Sequence, residues 1–268
     1  MTSKHFAVVG DPIDHSLSPR IHSAAYEQLG LDWVYEKHQV AKGSLARFLQ
    51  DHGQNLSGLS VTMPLKPEAA ALATYRDKIV DVLDVANTLV RSGDTWSAFN
   101  TDVFGIQQSL QKAWIEGISQ VAILGAGATA QSALYALHLQ SAASSVAVYV
   151  RDPGNTTQIV ELAAKLGSRI QVQSLAEYNS DQDLTISTVP AEALESFTSL
   201  EQSGWLLNVN YAKANLDFSG TFQGHRVVNG EVMLIWQAIA QLRLFLAGNQ
   251  TIPLEDEASL FAKMLSAL

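Results

Sequence analysis

Four short runs carry groups that can bind a polar molecule and move a proton on it: His15-Ser16-Leu17-Ser18-Pro19, Ser60-Val61-Thr62-Met63-Pro64-Leu65-Lys66, Ala86-Asn87-Thr88 and Asn100-Thr101-Asp102. The hydroxyls of Ser16 and Ser18 suit a carboxylate. Lys66 is one positive charge in a mostly apolar stretch, and Asp102 is its candidate partner. A Lys–Asp pair beside a bound hydroxyl exchanges a proton with it when the surroundings tune both pKa values. Each run follows an apolar stretch, which puts it at the carboxyl end of a strand, where open α/β sheets bind ligands. Plainer roles stay open. Ser18 and Asp102 are good helix N-caps, and Lys66 could be a solvated lysine at a helix start. His15 and His22 lack a third ligand at metal-binding spacing, so both are read as structural hydrogen-bonders and no metal site is expected.

A second constellation lies near mid-chain. Gly125-Ala126-Gly127-Ala128-Thr129-Ala130 fits G-x-G-x-x-A, the dinucleotide fingerprint. The first glycine permits the tight turn, Gly127 lets a pyrophosphate approach the backbone, and Ala130 allows close helix–strand packing. Unpaired N–H groups and the helix dipole then favour the phosphates. The turn follows the apolar run Val121–Leu124 and opens an Ala-rich helix, the context the motif requires. The next strand reaches Val150 and continues Arg151-Asp152-Pro153. With Val150 at the usual acidic position, Arg151 can pair with a 2′-phosphate and the cofactor is NADP. A register shifted by two would give Asp152 the ribose and favour NAD. A tight turn without ligand, and Arg151 as a plain surface charge, are the simpler alternatives.

These groups need elements to hold them. Strands are expected at Phe6–Val9, Trp33–Val40, Leu59–Thr62, Thr88–Arg91 and Trp96–Phe99, with helices at Ser18–Leu29, Ser44–Gln50 and Lys66–Tyr75. After a linking helix, Val103–Trp114, come strands Val121–Leu124, Val146–Val150, Arg169–Val172, Leu184–Thr188 and Trp205–Asn208. Helices are expected at Thr156–Leu166, Val232–Leu246 and Glu255–Leu268. The alternation favours α/β doubly wound sheets in both halves.

Composition narrows the class. The 268 residues are 47% hydrophobic and 16% charged, enough to bury a core and too apolar for bulk disorder. A net charge of −9 gives no basis for nucleic-acid binding, which rests on clustered Lys and Arg. The absence of cysteine excludes disulfides, thiolate metal sites and cysteine nucleophiles, and fits a cytoplasmic location. Residues 117–150 carry no Asp, Glu, Lys or Arg and are long enough to span a bilayer. Their glycines, glutamines and serines, between two β-rich runs, favour a buried strand–helix–strand unit over a membrane segment.

The four runs, in this order and followed by the glycine turn, resemble the shikimate dehydrogenase family. Its H-S-L-S-P, V-T-x-P-x-K, A-N-T and N-T-D-x-x-G signatures stand at His15–Pro19, Val61–Lys66, Ala86–Thr88 and Asn100–Gly105. Its late signature stands at Gly230, Met233-Leu234 and Gln237. The resemblance spans essentially the whole chain. It implies reversible reduction of 3-dehydroshikimate to shikimate with NADP, in the aromatic amino acid (chorismate) pathway. It implies two domains: a substrate-binding α/β domain at 1–102, rejoined by helices at 238–268, and a Rossmann-type NADP-binding domain at 103–237. By the same resemblance Lys66 and Asp102 are the catalytic pair, and Ser16 and Ser18 hold the substrate carboxylate. Thr62, Asn87 and Gln237 bond ring hydroxyls, Tyr211 touches substrate, and Gly230 joins the glycine turn and Arg151 on the cofactor side. Ser60 stands where the family usually has Asn. The expected partners are small molecules, with no nucleic acid or membrane, in a monomer or homodimer. The alternatives are an NAD-dependent quinate/shikimate dehydrogenase and a catalytically silent dinucleotide-binding regulator.

Overall fold

A computed structural model describes residues 3–113, 118–140, 143, 145–179, 181–190, 193, 204–210 and 226–268. The chain divides into two compact units, Met1–Thr101 with Ile235–Leu268, and Asp102–Leu234.

The first unit is built on a six-stranded sheet: β1 (Lys4–Gly10), β2 (Trp33–Gln39), β3 (Gly58–Val61), β4 (Tyr75–Arg76), β5 (Thr88–Ser92) and β6 (Thr95–Phe99), in the order β2-β1-β3-β5-β6-β4. The near-continuous apolar run Phe6-Ala7-Val8-Val9 is buried on both faces, as a central strand requires. Helix α1 (Ser18–Gln28) ends in a Schellman motif. Leu31 N–H reaches Tyr26 O at 2.9 Å and Gly30 N–H reaches Glu27 O at 3.2 Å, with Gly30 at φ +63. Three helices follow: α2 (Leu45–His52), α3 (Lys66–Leu72) and α4 (Lys78–Leu83).

Three expectations are corrected here. The first sheet is mixed, not doubly wound, because the Ser92-Gly93-Asp94 turn joins β5 and β6 as a hairpin and β3 pairs β5 antiparallel. The helix expected to reach Tyr75 stops at Leu72. Ala73 turns extended, the short β4 follows, and Asp77 opens α4 by accepting from Val80 N–H at 2.8 Å. Ser18 and Asp102 are the first residues of their helices rather than caps. Leu17 holds the cap position before α1 and offers no side-chain cap.

The second unit contains α5 (Asp102–Lys112), β7 (Gln120–Leu124), α6 (Ala128–Gln140), β8 (Ser145–Val150), α7 (Thr157–Lys165), β9 (Ile170–Ser174), β10 (Leu184–Ser187), β11 (Trp205–Asn208) and β12 (Val227–Asn229). The expected helix end at Trp114 lies outside the described residues. The strand order is β9-β8-β7-β10-β11-β12, all parallel, which is the doubly wound arrangement. The uncharged stretch therefore contributes β7, α6 and β8, and Ala122, Leu124, Ala147 and Tyr149 join one buried cluster.

The long helix α8 (Gly230–Ala247) is apolar enough to cross a membrane, yet 78% of it is buried inside the protein. Phe245 stacks on Phe6 with centroids 4.3 Å apart. A side chain on Gly58 would meet Phe245 at 2.7 Å and Phe6 at 3.1 Å, so glycine there is what lets the two rings meet across β3. Burying one such phenylalanine contributes about 1.5–3 kcal/mol. The last helix, α9 (Glu257–Ser266), is tied to α8 by the buried Arg243–Glu257 pair, at 2.7 Å and 2.6 Å through two guanidinium nitrogens.

Candidate active site

In the first unit three of the four runs lie at the end of a strand, β1, β3 or β6; Ala86-Asn87-Thr88 instead leads into β5, whose antiparallel pairing with β3 brings its amino end to the same edge. Ser16 and Ser18 lie in the turn between β1 and α1, with Ser18 N–H to Ser16 Oγ at 3.4 Å and Ser18 buried. The turn after β3 is held by Thr62 N–H to Val9 O at 2.9 Å and Leu65 N–H to Thr62 O at 2.9 Å. Gly10 must be glycine beside it. A side chain there would overlap Thr62 and come within 2.9 Å of the Met63 carbonyl. Lys66 opens α3, with Pro67 in the first turn, and is 8% exposed despite its charge. Its carbonyl accepts from Ala86 N–H at 3.0 Å, which ties the Lys66 backbone to the Ala86-Asn87-Thr88 run.

Asn87 joins three strand ends. Its carbonyl accepts from Val61 N–H at 2.7 Å and its own N–H reaches Phe99 O at 3.1 Å. The side-chain oxygen accepts from Thr101 N–H at 2.8 Å, and the side-chain nitrogen donates to Thr101 Oγ1 at 2.9 Å and to Gln237 Oε1 at 3.3 Å. Asn87, Thr101 and Gln237 are all buried. Asn100 is fully buried and bonds Val85 O at 3.0 Å, which fixes the chain just before Asp102. Asp102 is 5% exposed at the start of α5, the first residue of the second unit. Thus Asn87 and Gln237 are in direct contact, Ser16 adjoins Ser18, and Thr62 and Lys66 share one turn. Tyr211 lies outside the described residues.

Ser60, where the family usually has Asn, serves the interior. It is buried, accepts from Tyr35 Oη, and donates to Gln241 Oε1 at 2.8 Å. Gln241 also meets His22 Nε2 at 3.2 Å and donates to Thr88 Oγ1 at 3.0 Å. The motifs assign no role to Gln241 or Tyr35, and none of their own to Thr88 and Thr101, which stand inside two of the runs. One signal was available for Gln241: it follows Gln237 by four, so both amides lie on one face of an otherwise apolar helix.

In the second unit the glycine turn stands at the switch point between the paired strands β7 and β10, from which the strand order runs outward in opposite directions. Gly125 has φ +104, open to glycine alone at low cost, and an added side chain would lie 2.5 Å from Thr188 Oγ1. Its N–H reaches Tyr149 O at 2.8 Å, and Thr188 Oγ1 donates to Leu124 O at 2.8 Å, so both flanking strands brace the turn. Among the described residues nothing lies within 4 Å of where a Gly127 side chain would project, so this backbone is open there to close approach by a ligand. Ala126 is half-buried before it, Ala128 and Thr129 begin α6, and Ala130 is fully buried against the sheet. After β8, Val150 is buried and Arg151 exposed. Asp152 turns its carboxylate into its own loop, accepting from Gly154 N–H at 2.9 Å and Asn155 Nδ2 at 2.8 Å. The acid that an NAD site would have used is thus turned towards its own loop, and Arg151 is the exposed cation that follows β8. Gly230 has a packing reason of its own, since a side chain there would come within 2.6 Å of the Val209 carbonyl.

A family model for the shikimate dehydrogenase substrate-binding domain matches residues 8–89. The NADP(+) shikimate dehydrogenase of Anaeromyxobacter sp. strain K is 30% identical over 247 residues, covering 87% of each chain. Among solved structures, shikimate dehydrogenase of Mycobacterium tuberculosis superposes with TM-score 0.79 at 30% identity, covering 98% of this chain and 99% of that one. The Thermus thermophilus enzyme, in complex with NADP(H) and shikimate, gives TM-score 0.79 at 25% identity, covering 99% of this chain and all of that one. With the polar strand ends of the first unit and the glycine turn of the second, these likenesses establish that the chain belongs to the shikimate dehydrogenase family.

Proposed function

We propose that this chain is an NADP-dependent shikimate dehydrogenase that interconverts shikimate and 3-dehydroshikimate. The observation that carries this reading is the buried polar set at the strand ends of the first unit. Lys66, Asn87, Thr101 and Gln237 are all under 9% exposed, and hydrogen bonds hold three of them together. A cluster this costly to bury has to be repaid by pairing among its members and with a polar ligand.

The roles follow from side-chain chemistry. Ser16 and Ser18 present hydroxyls to a carboxylate. Thr62, Asn87 and Gln237 offer the mixed donors and acceptors that ring hydroxyls need, with Tyr211 a further substrate contact. Lys66 Nζ holds or takes the proton of the reacting oxygen, and the Asp102 carboxylate supports the charged lysine. The second unit fits a 2′-phosphorylated dinucleotide: Gly125–Ala130 for the pyrophosphate, Gly230 beside them and Arg151 for the extra phosphate, with the Asp152 carboxylate turned into its own loop. NADP, when bound there, supplies the hydride carrier. Hence 1–102 with 238–268 would be the substrate domain and 103–237 the cofactor domain, in a cytoplasmic monomer or homodimer.

The test is turnover. Shikimate is offered with NADP or NAD, and the absorbance of the reduced nicotinamide is followed. Oxidation with a strong preference for NADP is expected. Tight dinucleotide binding without turnover on either cofactor would sink the enzyme reading in favour of a silent regulator.

A further inference from the structure

The side-chain amide of Asn87 is oriented by a hydrogen-bond chain whose direction two backbone atoms fix. At one end Thr101 N–H, which can only donate, faces Asn87 Oδ1 at 2.8 Å. At the other, the Asn87 carbonyl, which can only accept, faces Gln241 at 3.4 Å, so the Gln241 atom there is its nitrogen. That nitrogen also donates to Thr88 Oγ1 at 3.0 Å, which leaves the single Thr88 proton for Asn87 Oδ1 at 2.9 Å. With its nitrogen so placed, Gln241 presents Oε1 to Ser60 Oγ at 2.8 Å and His22 Nε2 at 3.2 Å. Both must donate. Tyr35 Oη gives its proton to Ser60, and His22 carries its own on Nε2, its ring stacked 4.2 Å from Tyr35. A flip of Gln241 would set oxygen against the Asn87 carbonyl and N–H against two donors. A flip of Asn87 would set N–H against Thr101 N–H.

We propose that Thr88 and Gln241 are positioning residues for the shikimate site: together they lock the Asn87 amide so that its NH2 faces Thr101 Oγ1 and Gln237, the N–H on the Gln237 side being the one that substrate takes up. This rests on the reading of the first unit as the shikimate site. Thr88 is fully buried and Gln241 is 1% exposed, so neither touches substrate, and their effect passes through Asn87.

Thr88→Val and Thr88→Ser separate this role from packing. Valine keeps the shape and loses the hydroxyl; serine keeps the hydroxyl and loses a methyl. A positioning role makes Thr88→Val raise the shikimate KM about tenfold, with NADP KM and kcat within about twofold, while Thr88→Ser stays near wild type. A packing role predicts the reverse order. Gln241→Met removes the same link from the other side at similar volume and should show the same KM-selective loss. If Thr88→Val does not fold, this variant decides alone. A shikimate KM within about twofold of wild type in a folded Thr88→Val or Gln241→Met protein overturns the proposal. So does a larger KM rise in Thr88→Ser than in Thr88→Val. Wild type is assayed in parallel. Its failure to oxidise shikimate would overturn the functional reading itself, whereas an active wild type with indifferent variants overturns the positioning role alone.

Discussion

At the scale of single residues, the charges decide. Lys66 is a cation held almost out of water, at the first position of α3, where the helix dipole opposes a positive charge. On the reading proposed above, its task is the proton of the reacting oxygen. Lys66→Ala should lower shikimate turnover by roughly 10²–10⁴-fold, the usual range for a lost acid–base group, and weaken shikimate binding far less. Steady-state rates beside equilibrium shikimate binding check this, and an unchanged rate refutes the role. Arg151 is exposed, and the role proposed for it is to bind rather than to react. Charge-assisted hydrogen bonds are worth about 1.5–3 kcal/mol, so Arg151→Ala should raise the NADP KM roughly 10–100-fold and leave the NAD KM almost unmoved. An equal loss with both cofactors would mean that Arg151 supports the turn and reads no phosphate.

At the scale of elements, α1 docks on the sheet partly through a histidine that must stay neutral. Burial lowers the His22 pKa from 6.5 to about 3, only partly offset by its hydrogen bond to Gln241. Tyr26, Tyr35 and Phe245 surround the ring, and none is an acid that could stabilise a charge. Below pH 6.5 the unfolded chain therefore binds a proton that the folded chain refuses. The contribution of His22 to stability is complete above pH 6.5 and is lost as pH falls from there towards 3, by about 1.4 kcal/mol per unit. Urea unfolding at pH 7 and 5.5 should show this acid-side loss in wild type, and His22→Gln should show a shallower slope whatever its absolute stability. Equal slopes would mean that His22 is protonated in the fold. Such a group also shows where sequence reading runs out. The strand–glycine–helix unit from β7 to α6 was legible because its determinants lie within a few residues of one another. The His22–Gln241 bond joins positions 219 apart, and no local pattern encodes which buried polar groups meet. The mixed order of the first sheet escaped for a related reason. The Ser92-Gly93-Asp94 turn announces a hairpin, yet the antiparallel pairing of β5 with β3 is settled by tertiary packing.

At the scale of the whole molecule, an acidic chain of net charge −9 has to take up an anionic acid and a multiply charged cofactor. Its long-range field opposes both, so the proposed sites rely on local groups: hydroxyls and Lys66 in one unit, helix N–H groups and Arg151 in the other. The two compact units, Met1–Thr101 with Ile235–Leu268 and Asp102–Leu234, divide those groups almost cleanly. Asp102 lies at the join, one residue beyond the Thr101 that bonds Asn87. This division makes the domain assignment testable without any catalysis. A ligand that binds only the folded form suppresses opening of the segment holding it, by about 2.7 kcal/mol at a hundred times its Kd, or roughly a hundredfold in exchange rate. Amide hydrogen exchange with NADP alone should therefore slow residues 124–131 and 150–155. Shikimate alone should slow residues 16–18, 60–66, 86–88 and 100–102, together with the stretch of α8 around Gln237. The two patterns can overlap at Asp102, where the units meet in sequence, without blurring the assignment. Protection of 60–66 by NADP alone, with none at 124–131, would move the cofactor out of the glycine turn and reverse the roles of the two units.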